Sequence, residues 1–237
     1  MPVLASTLTA SVLALAPPSP SPGADDAPRG NTVLTRRRGV VWGAAAVPRV
    51  ALLIGDGARV MQPVGFGAEL QLSAYALHLG ALRFGGRAHF GHTRVLDRLS
   101  FQYDDGSGAG VQPVTRYAAL GHTDFSLGPA AQVVLGPILV EGGATVGLGI
   151  SNLVRPLGPL PTDEVQTSDT TAMLRGGGQI AVPIRRNQGV SLGVHATRFF
   201  SNTQVVANPD PTMPDALPDA NPFDLVLEIG VGYHMWF

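Results

Sequence analysis

The sequence predicts an all-β chain, an eight-stranded antiparallel up-and-down transmembrane β-barrel. The C-terminus is the first reason. From Phe223 to Phe237, odd positions are all apolar or aromatic (Phe223, Leu225, Leu227, Ile229, Val231, Tyr233, Met235, Phe237), while even positions (Asp224, Val226, Glu228, Gly230, Gly232, His234, Trp236) are mostly small or polar. Period two over this length describes a strand with one apolar and one polar face, long enough to cross a bilayer at a tilt. Composition is the second. Hydrophobic residues make up 45% and charged residues only 14% of the 237, yet beyond the N-terminus no apolar run reaches the about 18 residues of a membrane helix. Apolar content without long apolar runs is what alternating strands produce. The third is the rhythm of the connections, which alternate between long polar loops and short turns.

Taken in order, the first extended stretch covers 39–54, interrupted by Pro48 and Arg49, and a loop follows at 55–63. The second, 64–77, sets Phe66, Ala68, Leu70, Leu72 and Ala74 against Gly67, Glu69, Gln71, Ser73 and Tyr75. A turn near Leu79-Gly80 leads to the third, 82–95, and 96–113 reads as a long loop. The fourth covers 114–127, with Gly128-Pro129 as a tight turn. The fifth, 132–150, sets Val134, Ile138, Val140, Val146, Leu148 and Ile150 against Glu141, Thr145 and several glycines. After a proline-rich loop at 151–168, the sixth spans 169–184, and 185–189 is a turn. The seventh, 190–201, alternates Val190, Leu192, Val194 and Ala196 with Ser191, Gly193, His195 and Thr197. A last loop at 203–222 precedes the C-terminal strand, the eighth.

An even number of strands with alternating long and short connections is the outer-membrane pattern. Over 39–237 the chain resembles the small eight-stranded bacterial outer-membrane barrels of the OmpA/OmpX kind. Tyr233, Met235 and Phe237 resemble the C-terminal signal read by the barrel-insertion machinery. The resemblance implies a monomer integral to the outer membrane, in contact with its lipid and lipopolysaccharide. Residues 1–27 read as a signal peptide and cleavage region, apolar and small with Ala14-x-Ala16, and 28–38 as a disordered linker. The formal net charge of −1 offers nucleic acid no basic face. All 16 cationic side chains are arginine, and cysteine is absent, which excludes disulfides and thiolate metal sites. In this topology the outer loops hold Asp56, Asp97, Asp104, Asp105, Asp163, Glu164, Asp169, Asp210, Asp215 and Asp219, and the periplasmic side holds Arg36, Arg37, Arg38, Arg83, Arg185 and Arg186.

Ionisable residues also fall on the inward parity. An eight-stranded interior is just wide enough to be filled by side chains, and charges buried there must pair. Glu69, Arg87, Asp124, Glu141, Arg175 and Glu228 are therefore expected to form a structural lumen network. His89 and His92, three apart in a strand, point to opposite faces and cannot share an ion. His122, His195 and His234 share the parity of His89, and no metal or cofactor is expected. Some small barrels modify lipid A with His, Ser and acidic groups; the candidates here are His195 with Ser201 and His122 with Asp124. The leading expectation is a non-enzymatic role in envelope integrity or surface interaction through acidic outer loops. A narrow porin-like channel, a lipid A-modifying enzyme and a soluble lipocalin-like binder are the alternatives.

Overall fold

The computed structural model describes residues 39–104, 106, 110–202 and 224–237. The leader, the linker, Asp105, Asp210, Asp215, Asp219 and Phe223 lie outside the described residues. Eight strands close into one barrel in sequence order: β1 (Val41–Ile54), β2 (Val64–Leu79), β3 (Leu82–Tyr103), β4 (Gln112–Leu135), β5 (Ile138–Pro156), β6 (Glu164–Arg185), β7 (Gln188–Phe199) and β8 (Leu225–Trp236). A four-residue helical turn, α1 (Gly57–Val60), sits between β1 and β2. All neighbours pair antiparallel, and β8 returns to β1 through Gly43↔Trp236 to Ile54↔Leu225. Closure removes the sheet edges, so backbone polar groups are satisfied within the ring, as a bilayer core demands.

Three two-residue turns join β2–β3, β4–β5 and β6–β7 at the end that also holds Val41 and Trp236. By the rule that short turns face the periplasm, the opposite end is the outer one. Alternation through the middle of the barrel is strict: Phe66, Leu70, Leu72, Phe90, Phe125, Leu127, Val146, Leu148, Leu192 and Val231 are all more than half exposed on the outside. Glu69, Gln71, Arg87, His89, Asp124, Gln132, Glu141, Arg175, Gln179 and Glu228 are buried inside. This is a soluble protein turned inside out.

Two readings of the sequence need correction. The tight turn after the fourth strand is not at Gly128-Pro129 but at the next Gly-Pro, eight residues on, between Leu135 and Ile138. Gly136 has φ +57°, the left-handed conformation such a turn needs. Pro129 instead lies within β4 opposite Gly86, and toward β5 the ladder steps from Leu127↔Val146 to Ala130↔Gly143, missing the bond that a proline cannot donate. The loops are also shorter than 96–113 and 151–168. β3 and β4 pair up to Tyr103↔Gln112, and β5 and β6 up to Pro156↔Glu164.

The second difference arises from a change of polarity along the strands. Above Phe90, the outward residues of β3 become mostly polar (His92, Arg94, Arg98, Ser100 and Gln102, with Leu96 still outward among them), while Val95 and Leu99 lie inward. With Ala51, Leu53, Met61, Ala118, Leu120, Leu153, Met173, Phe199 and Val226 they form an apolar core inside the outer end. Beyond the hydrocarbon, the barrel has the ordinary arrangement of a protein in water. Clusters of Val134, Leu139, Ala181 and Trp236, and of Val41, Tyr75 and Ala130, fill the periplasmic end.

Some inward glycines are required by close strand approach. A Cβ on Gly147 would press into the carbonyl oxygen of Phe125 and lie 2.6 Å from Cα of Ser126, whereas one on the outward Gly86 would meet only Gly128 O at 3.6 Å. Gly147→Val is expected to lower stability by about 1–3 kcal/mol or more through overpacking, and Gly86→Ala to stay within about 0.5 kcal/mol of the parent. Urea unfolding of the barrel in micelles measures both.

Candidate functional site

The lumen holds the densest chemistry of the described residues. Arg49 reaches inward from β1 and is its hub. Its Nη1 donates to Glu69 Oε2 at 2.6 Å and lies 2.9 Å from Glu228 Oε1; Nη2 donates to Asp124 Oδ1 at 2.9 Å, and Nε to Thr93 Oγ1 at 3.0 Å. Arg175, from β6, meets the same three carboxylates: Glu69 through Nη2, Glu228 Oε2 at 3.0 Å, and Asp124 Oδ2 at 3.6 Å. Gln71 Nε2 donates to Glu69 Oε1 at 2.6 Å, and His89 Nδ1 is 2.7 Å from the same oxygen. Arg49 is 4% and Glu69 2% exposed, so these charges interact with little water between them. Two forked guanidiniums and three acceptors match because arginine offers several donors in a planar fan.

Space for the hub is also built in. A Cβ on Gly91, inward on β3, would lie 2.5 Å from Arg49 Nη2 and 2.9 Å from its Cζ. Glycine at 91 lets the guanidinium lie against the barrel wall.

A second network lies toward the periplasm. Arg87 pairs with Glu141, which also accepts from Gln179 Nε2 at 3.3 Å, and Arg83 Nη1 donates to Gln132 Oε1 at 2.9 Å. His234 Nε2 is 2.7 Å from Ser191 Oγ, its ring stacked on Trp236 at 5.6 Å. The polar section of the lumen is thus enclosed by apolar side chains above and below.

The structure places all six expected lumen residues inside and divides them into two groups. Glu69, Asp124, Arg175 and Glu228 come together; Arg87 and Glu141 form the other pair. Sequence reasoning misses Arg49, Thr93 and Gly91. Arg49 reads as an interruption because the other inward residues of β1 (Val41, Gly43, Ala45, Val47, Ala51, Leu53) are small or apolar. That strand therefore shows no polar parity from which to assign Arg49 inward.

The side chains of the enzyme candidates meet other partners. Six residues separate His195 from Ser201 along the chain, about 20 Å in an extended strand. Ser201 donates to Asp169, and the His195 ring meets that of His89 edge-on at 5.8 Å. His122 Nδ1 contacts Ser151 Oγ at 2.5 Å beneath Phe199, whose ring stacks on it at 4.8 Å. Asp124, two residues on, is engaged by Arg49. His92 points outward and contacts Thr123 Oγ1 at 2.9 Å. Among the described residues no group of three or more His, Cys, Asp or Glu side chains is placed to hold a metal ion.

The outer end carries a different constellation. Arg116 Nη1 reaches across from β4 to the carbonyls of Gly158, Leu160 and Asp163, and Nη2 meets Glu164 Oε2 at 3.1 Å, clasping the β5–β6 loop. Asp97 accepts from the backbone N–H of Gln62 at 3.1 Å, and Arg198 pairs with Asp224 at 2.5 Å. The charge separation expected between the two ends is correspondingly incomplete, because Arg94, Arg98, Arg116, Arg155 and Arg198 also lie toward the outer end. The carboxylates there are largely engaged in holding loops and strand ends.

A closed eight-stranded barrel with an apolar outside, a charged and filled inside and short turns at the end where β1 begins and β8 stops is an integral outer-membrane β-barrel of the OmpA/OmpX-like architecture. No protein-family profile and no curated protein matches the sequence. Among solved structures the chain is similar to Ail, the attachment invasion locus protein of Yersinia pestis, in complex with the heparin analogue sucrose octasulfate (10% identity, 84% of this chain, 99% of that chain, TM-score 0.47). It is similar also to a major outer membrane protein from Thermus thermophilus (18% identity, 82% and 99%, TM-score 0.46). A third is the outer membrane protease OmpT from Escherichia coli (8% identity, 84% and 95%, TM-score 0.41). Identities of this order speak to fold alone.

Breaking a buried ion pair on one side leaves an uncompensated charge, at a cost of about 3–5 kcal/mol. Arg87→Met is expected to cost that much, and Arg87→Met with Glu141→Leu less than Arg87→Met alone, as read from urea midpoints in micelles. Gly91→Ala, which crowds the Arg49 guanidinium, is expected to cost about 1–3 kcal/mol; an unchanged midpoint would contradict the packing described.

Proposed function

We propose that the protein is a non-conducting barrel that anchors a preorganised polar rim at the outer face of the outer membrane, with a structural or surface-interaction role. The observation that carries this reading is the filled lumen. Arg49, Arg175 and their three carboxylates are buried at mid-barrel, and apolar clusters close both ends. A solute channel needs a continuous watery path, which eight strands rarely leave.

The outer hairpins support the second half of the proposal. β3 and β4 continue as a paired ribbon past the apolar belt, and Arg116 pins the neighbouring loop. Such a rim needs little ordering on contact, and preorganisation lowers the cost of binding. With Asp97, Glu164 and Asp169 already engaged within it, any acidic contact surface falls to carboxylates beyond these. The closed ladder leaves no strand free to pair with another copy, which supports a monomer. A non-catalytic role is supported by His122 and Ser151 lying buried under Phe199 and by the separation of His195 from Ser201.

Planar-bilayer recordings of the folded protein are expected to show no steady ohmic current; a reproducible open level would contradict the proposal. Arg116→Ala is expected to leave the barrel folded but to make the β5–β6 loop cleavable by protease on intact cells.

A further inference from the structure

Two of the strand ladders are broken within the apolar belt, and both breaks fall at prolines. Between β1 and β8 the pairs run to Ala46↔Tyr233 and resume at Arg49↔Gly230, without rungs at Val47 and Pro48. Between β4 and β5 they run to Leu127↔Val146 and resume at Ala130↔Gly143, without rungs at Gly128 and Pro129. Register is the same on either side of each gap, so the strands are neither slipped nor bulged there. The remaining ladders lose no rung, apart from single register shifts at Tyr75/Leu77 and Pro183/Arg185 beside two of the turns. Each proline is paired on its other side, Pro48 to Ala68 of β2 and Pro129 to Gly86 of β3. The nitrogen that cannot donate is therefore turned to the gap. Both prolines are exposed on the outside, where hydrocarbon offers no water to replace a missing bond.

The two seams lie on opposite sides of the ring and divide it into halves, β1–β4 and β5–β8. Side chains tie these halves together across the lumen: Arg49 to Glu228 at 2.9 Å, Arg87 to Glu141, and Arg175 to Glu69 and Asp124. Thr145 donates to Ser126 at 2.9 Å on the inner side of the β4–β5 gap. At the outer rim Arg116 of β4 crosses the same seam to the β5–β6 loop and Glu164. Backbone pairing is thus weakest between the halves, and side-chain latches bridge it.

We propose that the barrel is jointed: the halves β1–β4 and β5–β8 flex about the two proline seams, restrained by the lumen ion pairs and the Arg116 clasp. Flexing moves the β3–β4 hairpin relative to the β5–β6 hairpin, so the spacing of the outer rim follows the seams. The joint depends on the pairing of the ring and not on what the rim contacts.

Residue-resolved hydrogen exchange of the full chain in lipid nanodiscs tests the joint. Amides facing the gaps, Val50 and Val231 at one seam and Ala131 and Ala144 at the other, are expected to exchange about tenfold faster than belt amides of the β2–β3 and β6–β7 ladders. One missing hydrogen bond supplies a factor of about that size. Pro48→Ala returns a donor to the β8–β1 seam. Because the halves move as bodies, it slows exchange at the opposite β4–β5 seam as well as at its own, and Pro129→Ala does the same in reverse. Uniform exchange across all the ladders of the unaltered chain overturns the proposal and needs no variant to fold. Slowing confined to the substituted seam, in a variant that keeps its heat-modifiable gel migration, overturns it too, since it marks two independent local defects.

Discussion

The structure depends on the burial of five charges at the centre of a ring of strands. Glu69, Asp124 and Glu228 meet Arg49 and Arg175 from β2, β4, β8, β1 and β6, so one cluster ties together elements distant in sequence. It also sets register. A strand that slipped by one residue would exchange its faces, sending its charge into hydrocarbon, where an arginine at the midplane costs about 2–4 kcal/mol. The same slip would carry leucines and phenylalanines into a polar lumen. In a barrel with little other specificity between strands, this penalty is what makes one register preferable to its neighbours.

Along its axis the molecule meets two solvents. In the belt, the outside must be apolar and the inside absorbs every polar group; above it, water returns and the inside becomes the apolar core of Val95, Leu120, Leu153, Met173 and Phe199. On β3 the change begins above Phe90 and is complete past Leu96, which is still exposed on the outside, without any break in pairing. It lets the hairpins rise out of the membrane as ordered ribbons. It also seals the charged layer from above, linking the outer rim to the closed lumen.

The fold class was readable because period two survives any reasonable error in strand limits, and β8 shows it without interruption. Strand ends were less readable for a physical reason. At 98–103 the alternation continues, but with its polarity reversed, and a reversed pattern of Arg98, Ser100 and Gln102 on the outside looks like a loop. The two Gly-Pro pairs at 128 and 136 are alike as words; only the pairing of β4, with Pro129 opposite Gly86 on β3 and Leu135 opposite Ile138 on β5, shows which one turns. Within the lumen, Glu69, Arg87, Asp124, Glu141, Arg175 and Glu228 could be named from parity, but not their grouping, since parity gives a face and no height. Arg49 stayed hidden because its inward neighbours belong to the apolar plugs, and Gly91 because a glycine's role as space shows only when the side chain opposite is in place.

The most direct test of this account is the depth and solvent exposure of the outer wall. The chain has no cysteine, so single cysteines at Leu72, Val146 and Leu148, and at Ser100 above the belt, can each carry a nitroxide in a lipid-reconstituted sample. Collision with oxygen and with a water-soluble nickel chelate then reports which phase each site contacts. The three belt positions are expected to be rich in oxygen contact and shielded from nickel, with Ser100 the reverse. Free nickel access at Leu72, Val146 and Leu148 would mean that this face meets water, and would contradict both the membrane belt and the assignment of the charged parity to a sealed interior.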